Sequence, residues 1–171
     1  MKIMKTRNLI VLGMALLSTA VISIACSEGI SQDNSSNLTS IVWHDISELE
    51  ALQNSNPKKV IVDVYTDWCK WCKVMDEKTF SDPNFIKHVS SEYHMVKLDA
   101  ELAVDLRFKE KTYSFIKQGR RGYHELAREL SQGQLSYPSF VLLDNDLNVL
   151  DVTRGFKDTP TFIRFLEKAA I

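Results

Sequence analysis

Two cysteines separated by two residues, in Trp68-Cys69-Lys70-Trp71-Cys72-Lys73, are the side chains of this sequence best suited to do chemistry. A pair at this spacing can cycle between dithiol and disulfide. One sulfur attacks a disulfide in another molecule, and the second, one helical turn on, resolves the mixed disulfide that results. The attacking species is the thiolate, so the pair has to sit where negative charge is stabilised. A β-branched run, Val60 to Tyr65, ends just before the pair, and good helix formers, Lys73 to Lys78, follow it. Cys69 is therefore expected at or near a helix amino terminus, where unpaired N–H groups and the helix dipole pull a thiol below its free value of about 8.5. Lys70 adds positive charge beside it, and Trp68 and Trp71 offer apolar surface for docking a partner chain.

The elements that must hold this pair are legible from periodicity and punctuation. Val60-Ile61-Val62-Asp63-Val64-Tyr65 predicts a strand buried on both faces, interrupted by one charge, Asp63. Ahead of it, Ile46, Leu49 and Leu52 fall on one side of a helix that Asp45 or Ser47 can cap and Asn56-Pro57 closes. Ser81-Asp82-Pro83 supplies a cap and a first-turn proline for a helix through about Val89. Tyr93 to Asp99 predicts a second strand, parallel to the first because a helical crossover separates them. Ser139–Leu143 and Asn148–Val152 flank Asp144-Asn145-Asp146 as an antiparallel hairpin, and Thr159 to Ala170 is expected to be helical, burying Phe162, Ile163, Phe165 and Leu166.

Other chemistries for the cysteines fit the same residues less well. A structural zinc site takes four protein ligands, but no second cysteine pair exists, and His44, His88, His94 and His124 lack the usual spacing. Haem attachment needs a histidine directly after the second cysteine, where Lys73 stands. A purely structural disulfide closing so short a loop stabilises little in the chain-entropy picture. Nucleic-acid binding lacks its electrostatic footprint: 21 basic against 22 acidic residues leave a formal charge of −1. The best basic run, Lys117-Gln118-Gly119-Arg120-Arg121, reads as solvated surface.

Strand, then Trp-Cys-x-x-Cys-Lys, then helix, then a later x-Pro before a hairpin, resembles the thioredoxin superfamily from about Ile41 to the carboxyl end. Thr66 to Lys73 and Thr79-Phe80-Ser81-Asp82-Pro83 are similar to the envelope branch that includes the carboxyl-terminal domain of the disulfide reductase DsbD. The resemblance implies an α/β, three-layer fold with a central mixed sheet flanked by helices. It implies that Cys69 is the nucleophile and Cys72 the resolving cysteine of a redox-active disulfide. Ser136-Tyr137-Pro138-Ser139 becomes the cis-proline loop that lies against the pair and, with Trp68 and Trp71, binds an extended substrate strand; a turn with a trans bond is the alternative. Asp63 falls where the family keeps a buried carboxylate that relays a proton to the second cysteine, against the alternative of a solvated, edge-facing aspartate. Lys97 matches a lysine that pairs with this carboxylate, or is simply a surface lysine.

Between Ala100 and Tyr137 the chain departs from the family with an insert at about 101–135. Within it, residues 107–116 are expected to form a small hairpin and 122–130 a helix with Leu126 and Leu130 facing the core. The insert leads into the proline loop, so it either borders the active surface and selects partners or serves only as extra packing. His124, alone on that helix, is expected at the surface.

The 171 residues allow one domain plus a targeting segment and a linker. Lys2, Lys5 and Arg7, an apolar run from Leu9 and small residues after it have the layout of a secretory signal over 1–25. Ser23-Ile24-Ala25-Cys26 resembles a bacterial lipoprotein signal, which implies lipidation of Cys26, although Ser23 stands where a leucine is usual. Plain secretion with a spare thiol and an uncleaved anchor are the alternatives. Residues 26–40, rich in Ser, Asn, Gln and Asp, read as a flexible tether, and 41–171 as the domain.

The expected function is dithiol–disulfide exchange on exported proteins at the bacterial cell envelope, facing the periplasm, in the reducing direction. No cofactor is expected, since no nicotinamide or flavin motif is present, so the electrons must come from a membrane donor of DsbD type. Oxidase and isomerase activity are the other directions open to the same pair. The competing class is an envelope protein that uses both thiolates to bind or deliver Cu(I), a soft ion that favours such ligands.

Overall fold

A computed structural model describes residues 39–169. The expected signal segment, Cys26 and nearly all of the expected tether lie outside the described residues. Five strands form a mixed sheet in the order β1 (Trp43–Asp45), β3 (Tyr93–Asp99), β2 (Lys59–Tyr65), β8 (Ser139–Leu143) and β9 (Val149–Arg154). β2 is the central strand, paired in parallel with β3 and antiparallel with β8. β1 runs parallel to β3 at one edge, and β9 antiparallel to β8 at the other.

The period of two along β2 divides the core into two layers. Val60, Val62 and Val64 face one side, with Val96, Leu98, Val141 and Leu143 of the neighbouring strands and Leu49 of α1 (Leu49–Ser55). Ile61 faces the other, with Met95, Phe140 and Leu142, beneath Met75 of α2 (Lys70–Lys78), Phe85 of α3 (Pro83–Ser90) and Phe162 and Leu166 of α5 (Thr159–Ala169). Alternation therefore points Asp63 toward α2 as well. On this side four phenylalanines interlock, the Phe140 and Phe162 rings 4.7 Å apart and Phe85 and Phe162 5.1 Å apart.

The caps are largely where the sequence placed them. Asp82 accepts from the Asn84 N–H with Pro83 in the first turn of α3. Asp45 caps a single turn of 3-10 helix, Ile46–Glu48, in a capping box that leads into α1. The Asp144-Asn145-Asp146 turn is closed by the Asp144 carboxylate, which accepts from the Asp146 and Asn148 N–H groups.

The insert corrects three expectations. Residues 107–116 do not form one hairpin: β4 (Leu106–Phe108) pairs with β5 (Lys111–Tyr113), and Phe115 and Ile116 open a second ribbon in which β6 (Phe115–Gln118) pairs with β7 (Arg121–His124). Lys109 and Glu110, both at positive φ, make the tight first turn, and Gly119, at φ +62°, serves the second. The helix α4 starts at Glu125, because Gly122-Tyr123-His124 belongs to β7. His124 is not at the surface. It is fully buried as the cap of α4, its Nδ1 accepting from the Leu126 N–H and its Nε2–H donating to the Val104 carbonyl, so both ring nitrogens are satisfied inside the fold. Leu126 and Leu130 are buried as expected, with Leu106, Phe108 and Tyr113, so the insert thickens the core on the α1 side of the sheet.

Candidate active site

β2 delivers the chain to the site. Its last residue, Tyr65, accepts from the Ala100 N–H, and Thr66 accepts from the Cys69 N–H at 3.0 Å, which closes a tight turn. Cys69 then caps α2: its extended backbone stops the helix from starting earlier, and its Sγ accepts from the Cys72 N–H at 3.1 Å. The two cysteines are joined as a disulfide. The Cys69 sulfur thus occupies the position where a helix amino terminus stabilises negative charge, with one backbone donor already aimed at it.

Beneath α2 lies an ionic cluster. Asp63, 1 % exposed, accepts through Oδ2 from the Lys97 ammonium at 2.6 Å, and Lys97 reaches Asp76 Oδ1 at 2.9 Å. Asp76 follows Cys72 by four residues, so both side chains stand on one face of α2. Since Asp76 meets Asp63 through a single ammonium group, that face of α2 is the one turned toward Asp63. Burial pushes the Asp63 carboxyl up to about 6; Lys97 opposes the rise and Asp76 adds to it. Burial pulls Lys97 the other way, but its two carboxylates together outweigh it and raise its pKa. The Lys97 ammonium also lies 4.3 Å from the Trp43 ring centroid and 5.3 Å from that of Tyr65. Asp63 Oδ1 is buried and has no hydrogen-bond partner, so one lone-pair oxygen remains free to take a proton.

Around the disulfide the surface is aromatic. Cys69 and Cys72 are each 4 % exposed, whereas Trp68 and Trp71 are 52 % and 57 % exposed. Trp71 lies against the exposed Phe156, ring centroids 5.8 Å apart. Trp68 stands edge-to-face with Tyr137 at 5.7 Å, which brings the loop before β8 up to the cysteine motif; the Tyr137–Pro138 bond in that loop is cis. The Trp68 indole N–H donates to Glu101 at 3.0 Å, and the Arg121 guanidinium lies 4.7 Å from its ring centroid.

Of the residues singled out from sequence, Cys69, Cys72, Asp63, Lys97, Trp68, Trp71, Tyr137 and Pro138 are drawn into this one region, and Cys26 lies outside the described residues. Lys97 is partly buried and paired rather than a surface lysine. Asp76, Glu101, Arg121 and Phe156 belong here as well and were not anticipated. Helical spacing from Cys72 was a usable signal for Asp76. The other three arrive from separate loops and ribbons, and no local pattern points to them. Among the described residues no three or more His, Cys, Asp and Glu side chains gather into a group that could hold a metal ion.

A cysteine pair closed as a disulfide at the amino terminus of the helix after the central strand, in a sheet of this order, defines a thioredoxin-like fold whose cysteine pair is suited to thiol-disulfide exchange. The chain belongs to the family described as Thioredox_DsbH (Protein of unknown function, DUF255), whose model matches residues 27–126. It is similar to the thiol:disulfide interchange protein DsbD of Pectobacterium atrosepticum, 36 % identical over 62 residues. It is also similar to the DsbD of Campylobacter jejuni, 32 % identical over 56 residues. These matches cover 36 % and 33 % of the chain but only 11 % and 10 % of the relatives' own lengths. Among solved structures, a DsbH oxidoreductase superposes with a TM-score of 0.54 at 18 % identity, covering 85 % of this chain and 94 % of that one. A thioredoxin from Thermus thermophilus superposes with 0.56 at 18 %, covering 77 % and 88 %. At that identity these two structures speak for the fold.

Proposed function

We propose that the chain is a protein-disulfide reductase of the bacterial cell envelope, lipid-anchored through Cys26 and supplied with electrons by a DsbD-like membrane donor. The observation that carries the reading is the Cys69–Cys72 disulfide at the start of α2, the helix whose Asp76 shares the Lys97 ammonium with Asp63, a buried carboxylate with one unsatisfied oxygen.

In the reduced protein the Cys69 thiolate attacks one sulfur of a substrate disulfide. The Cys69–substrate S–S bond forms, the substrate's own S–S bond breaks, and the departing thiolate takes up a proton. Cys72 then loses its proton to Asp63 and attacks Cys69 Sγ, which breaks the mixed disulfide and releases the second substrate thiol. Two electrons pass from the cysteine pair to the substrate, and the donor must return two. Lys97 holds Asp63 in place and limits the cost of its negative charge. Trp68, Trp71, Tyr137 and the backbone around Pro138 receive the substrate segment.

The test is the reduction potential of the Cys69–Cys72 couple in the full chain, equilibrated against dithiothreitol or glutathione buffers and read by thiol trapping. A value near about −270 mV supports a reductase, and one near about −120 mV would make the protein an oxidase. A pair that never closes in solution overturns the redox reading and brings Cu(I) binding forward. For the anchor, Cys26→Ser should abolish incorporation of labelled fatty acid and release the protein from the membrane fraction. Retention with unchanged labelling would remove Cys26 from that role.

A further inference from the structure

The basic run Lys117-Gln118-Gly119-Arg120-Arg121 is the tip of the β6–β7 ribbon, and the fold carries this tip to the edge of the disulfide surface. Its position is fixed from the base. The His124 N–H donates to the Ala100 carbonyl at the end of β3, and the Glu125 carboxylate accepts from the Ser114 N–H. Midway, Phe115 lies across Gly122, where a Cβ would come within 2.3 Å of the ring. Gln118 is paired with Arg121, so these two side chains share one face of the ribbon, Lys117 stands on the other and Arg120 sits in the turn. All three cationic side chains are exposed, and among the described residues none has a carboxylate within ion-pair distance. The Arg121 guanidinium lies 4.7 Å from the Trp68 ring centroid with no carboxylate partner, so its N–H groups are available to an incoming acceptor.

Acidic groups also surround the contact between Trp68 and Tyr137. Glu101 holds the indole N–H, and the charges of Asp99 and Glu101 act on Tyr137 while those of Asp67 and Asp99 act on Tyr65. A polypeptide laid over Trp68 therefore meets the unpaired cations of the ribbon tip as well as these acidic groups. Like charges meeting at a desolvated contact are penalised, and a carboxylate meeting an unpaired guanidinium is rewarded by two parallel hydrogen bonds.

We propose that the β6–β7 tip, with Arg121 laid on Trp68, is the partner-selecting element of the redox site, and that it takes disulfide-bearing polypeptides with Asp or Glu side chains on the flank of the cystine that crosses the ribbon. This deepens the reductase reading and rests on it.

The experiment uses the reduced full chain and synthetic cystine peptides of one sequence that carry Glu-Glu, Gln-Gln or Lys-Lys on one flank or the other. Second-order oxidation rates are followed by tryptophan fluorescence. For one of the two flanks the Glu-Glu peptide should react about tenfold faster than the Lys-Lys peptide at low salt, the lower end of electrostatic steering. The ratio should collapse at about 1 M salt, where the Debye length is about 3 Å. R120E/R121E should invert the ratio, and R121K should keep most of it. Equal rates for acidic and basic peptides on both flanks, or a ratio that the double charge reversal leaves alone, overturns the proposal while leaving the redox reading standing. If the reduced chain oxidises with none of the peptides although dithiothreitol opens and oxidants close its disulfide, the reductase reading fails, and the selection proposal falls with it.

Discussion

Lys97 is shared by two carboxylates of very different exposure, and this inequality sets the acid–base behaviour of the site. Asp63 is buried and sits at about 6 against an ordinary 3.8, so it is protonated in the folded protein at pH values where the unfolded chain has already ionised. The folded state then binds more protons than the unfolded one between these values, and stability falls as pH rises from about 4 to 6 and stays lower above that. Asp63→Asn should accordingly raise the stability measured by urea unfolding at pH 7.5, by up to about 3 kcal/mol, with the gain shrinking toward pH 4. The same variant should slow resolution of the mixed disulfide by about 10²-fold and remove the limb of the pH–rate profile that climbs through pH 6. A more stable but equally fast variant would strip Asp63 of its proton-transfer role. Asp76 raises Asp63 through its charge, so Asp76→Asn should move the midpoint of that limb below its wild-type position, read by stopped-flow fluorescence. At this scale the sequence was informative where one residue broke a pattern, as Asp63 breaks an apolar strand. It was mute where a residue acts from another segment, as Glu101 and Arg121 do on Trp68.

Elements were legible to the extent that each carries its own period and its own stop signals. β2, β3, α3, the β8–β9 hairpin and α5 all combine an apolar repeat with a cap or turn residue, and they fall within a residue or two of where those signals put them. β1 was missed because three residues at a sheet edge are too few to show a period. The insert was misread for a different reason: its strands are three or four residues long and follow one another directly, so a single hairpin and two hairpins share one hydrophobic pattern. The first turn is made by Lys109 and Glu110, which do not announce a left-handed backbone, whereas Gly119 does. Gly122 is the residue on which the second ribbon depends. A methyl group there would meet the Phe115 ring at 2.3 Å and the Ile116 carbonyl at 2.4 Å, and the carbonyl cannot swing aside. Gly122→Ala should cost about 1–3 kcal/mol and strip hydrogen-exchange protection from residues 115–124 while the five-stranded sheet keeps its own. Uniform protection across the ribbon would mean that the close approach is not a constraint.

For the molecule as a whole, redox direction and stability are one quantity. A protein that reduces others holds its own disulfide more firmly than its dithiol, at about 1.4 kcal/mol for each 30 mV, so the difference appears when the two forms are unfolded. The reductase reading expects the oxidised chain to have the higher Tm in paired thermal scans; a reduced chain that outlasts it would assign the protein to the oxidising side. No spacing of residues encodes that balance, which sums over every contact of both sulfurs, whereas the general fold followed from a handful of local signals. The parallel run of β1 and β2 has one further consequence. Ser40 and Ile41 line a cavity with Asn56, Lys58, Ser90 and Tyr93, where β2 and β3 begin, and Cys69 lies beyond the far end of β2, about 23 Å along the strand. The polypeptide enters the domain at one pole and carries its cysteine pair at the other.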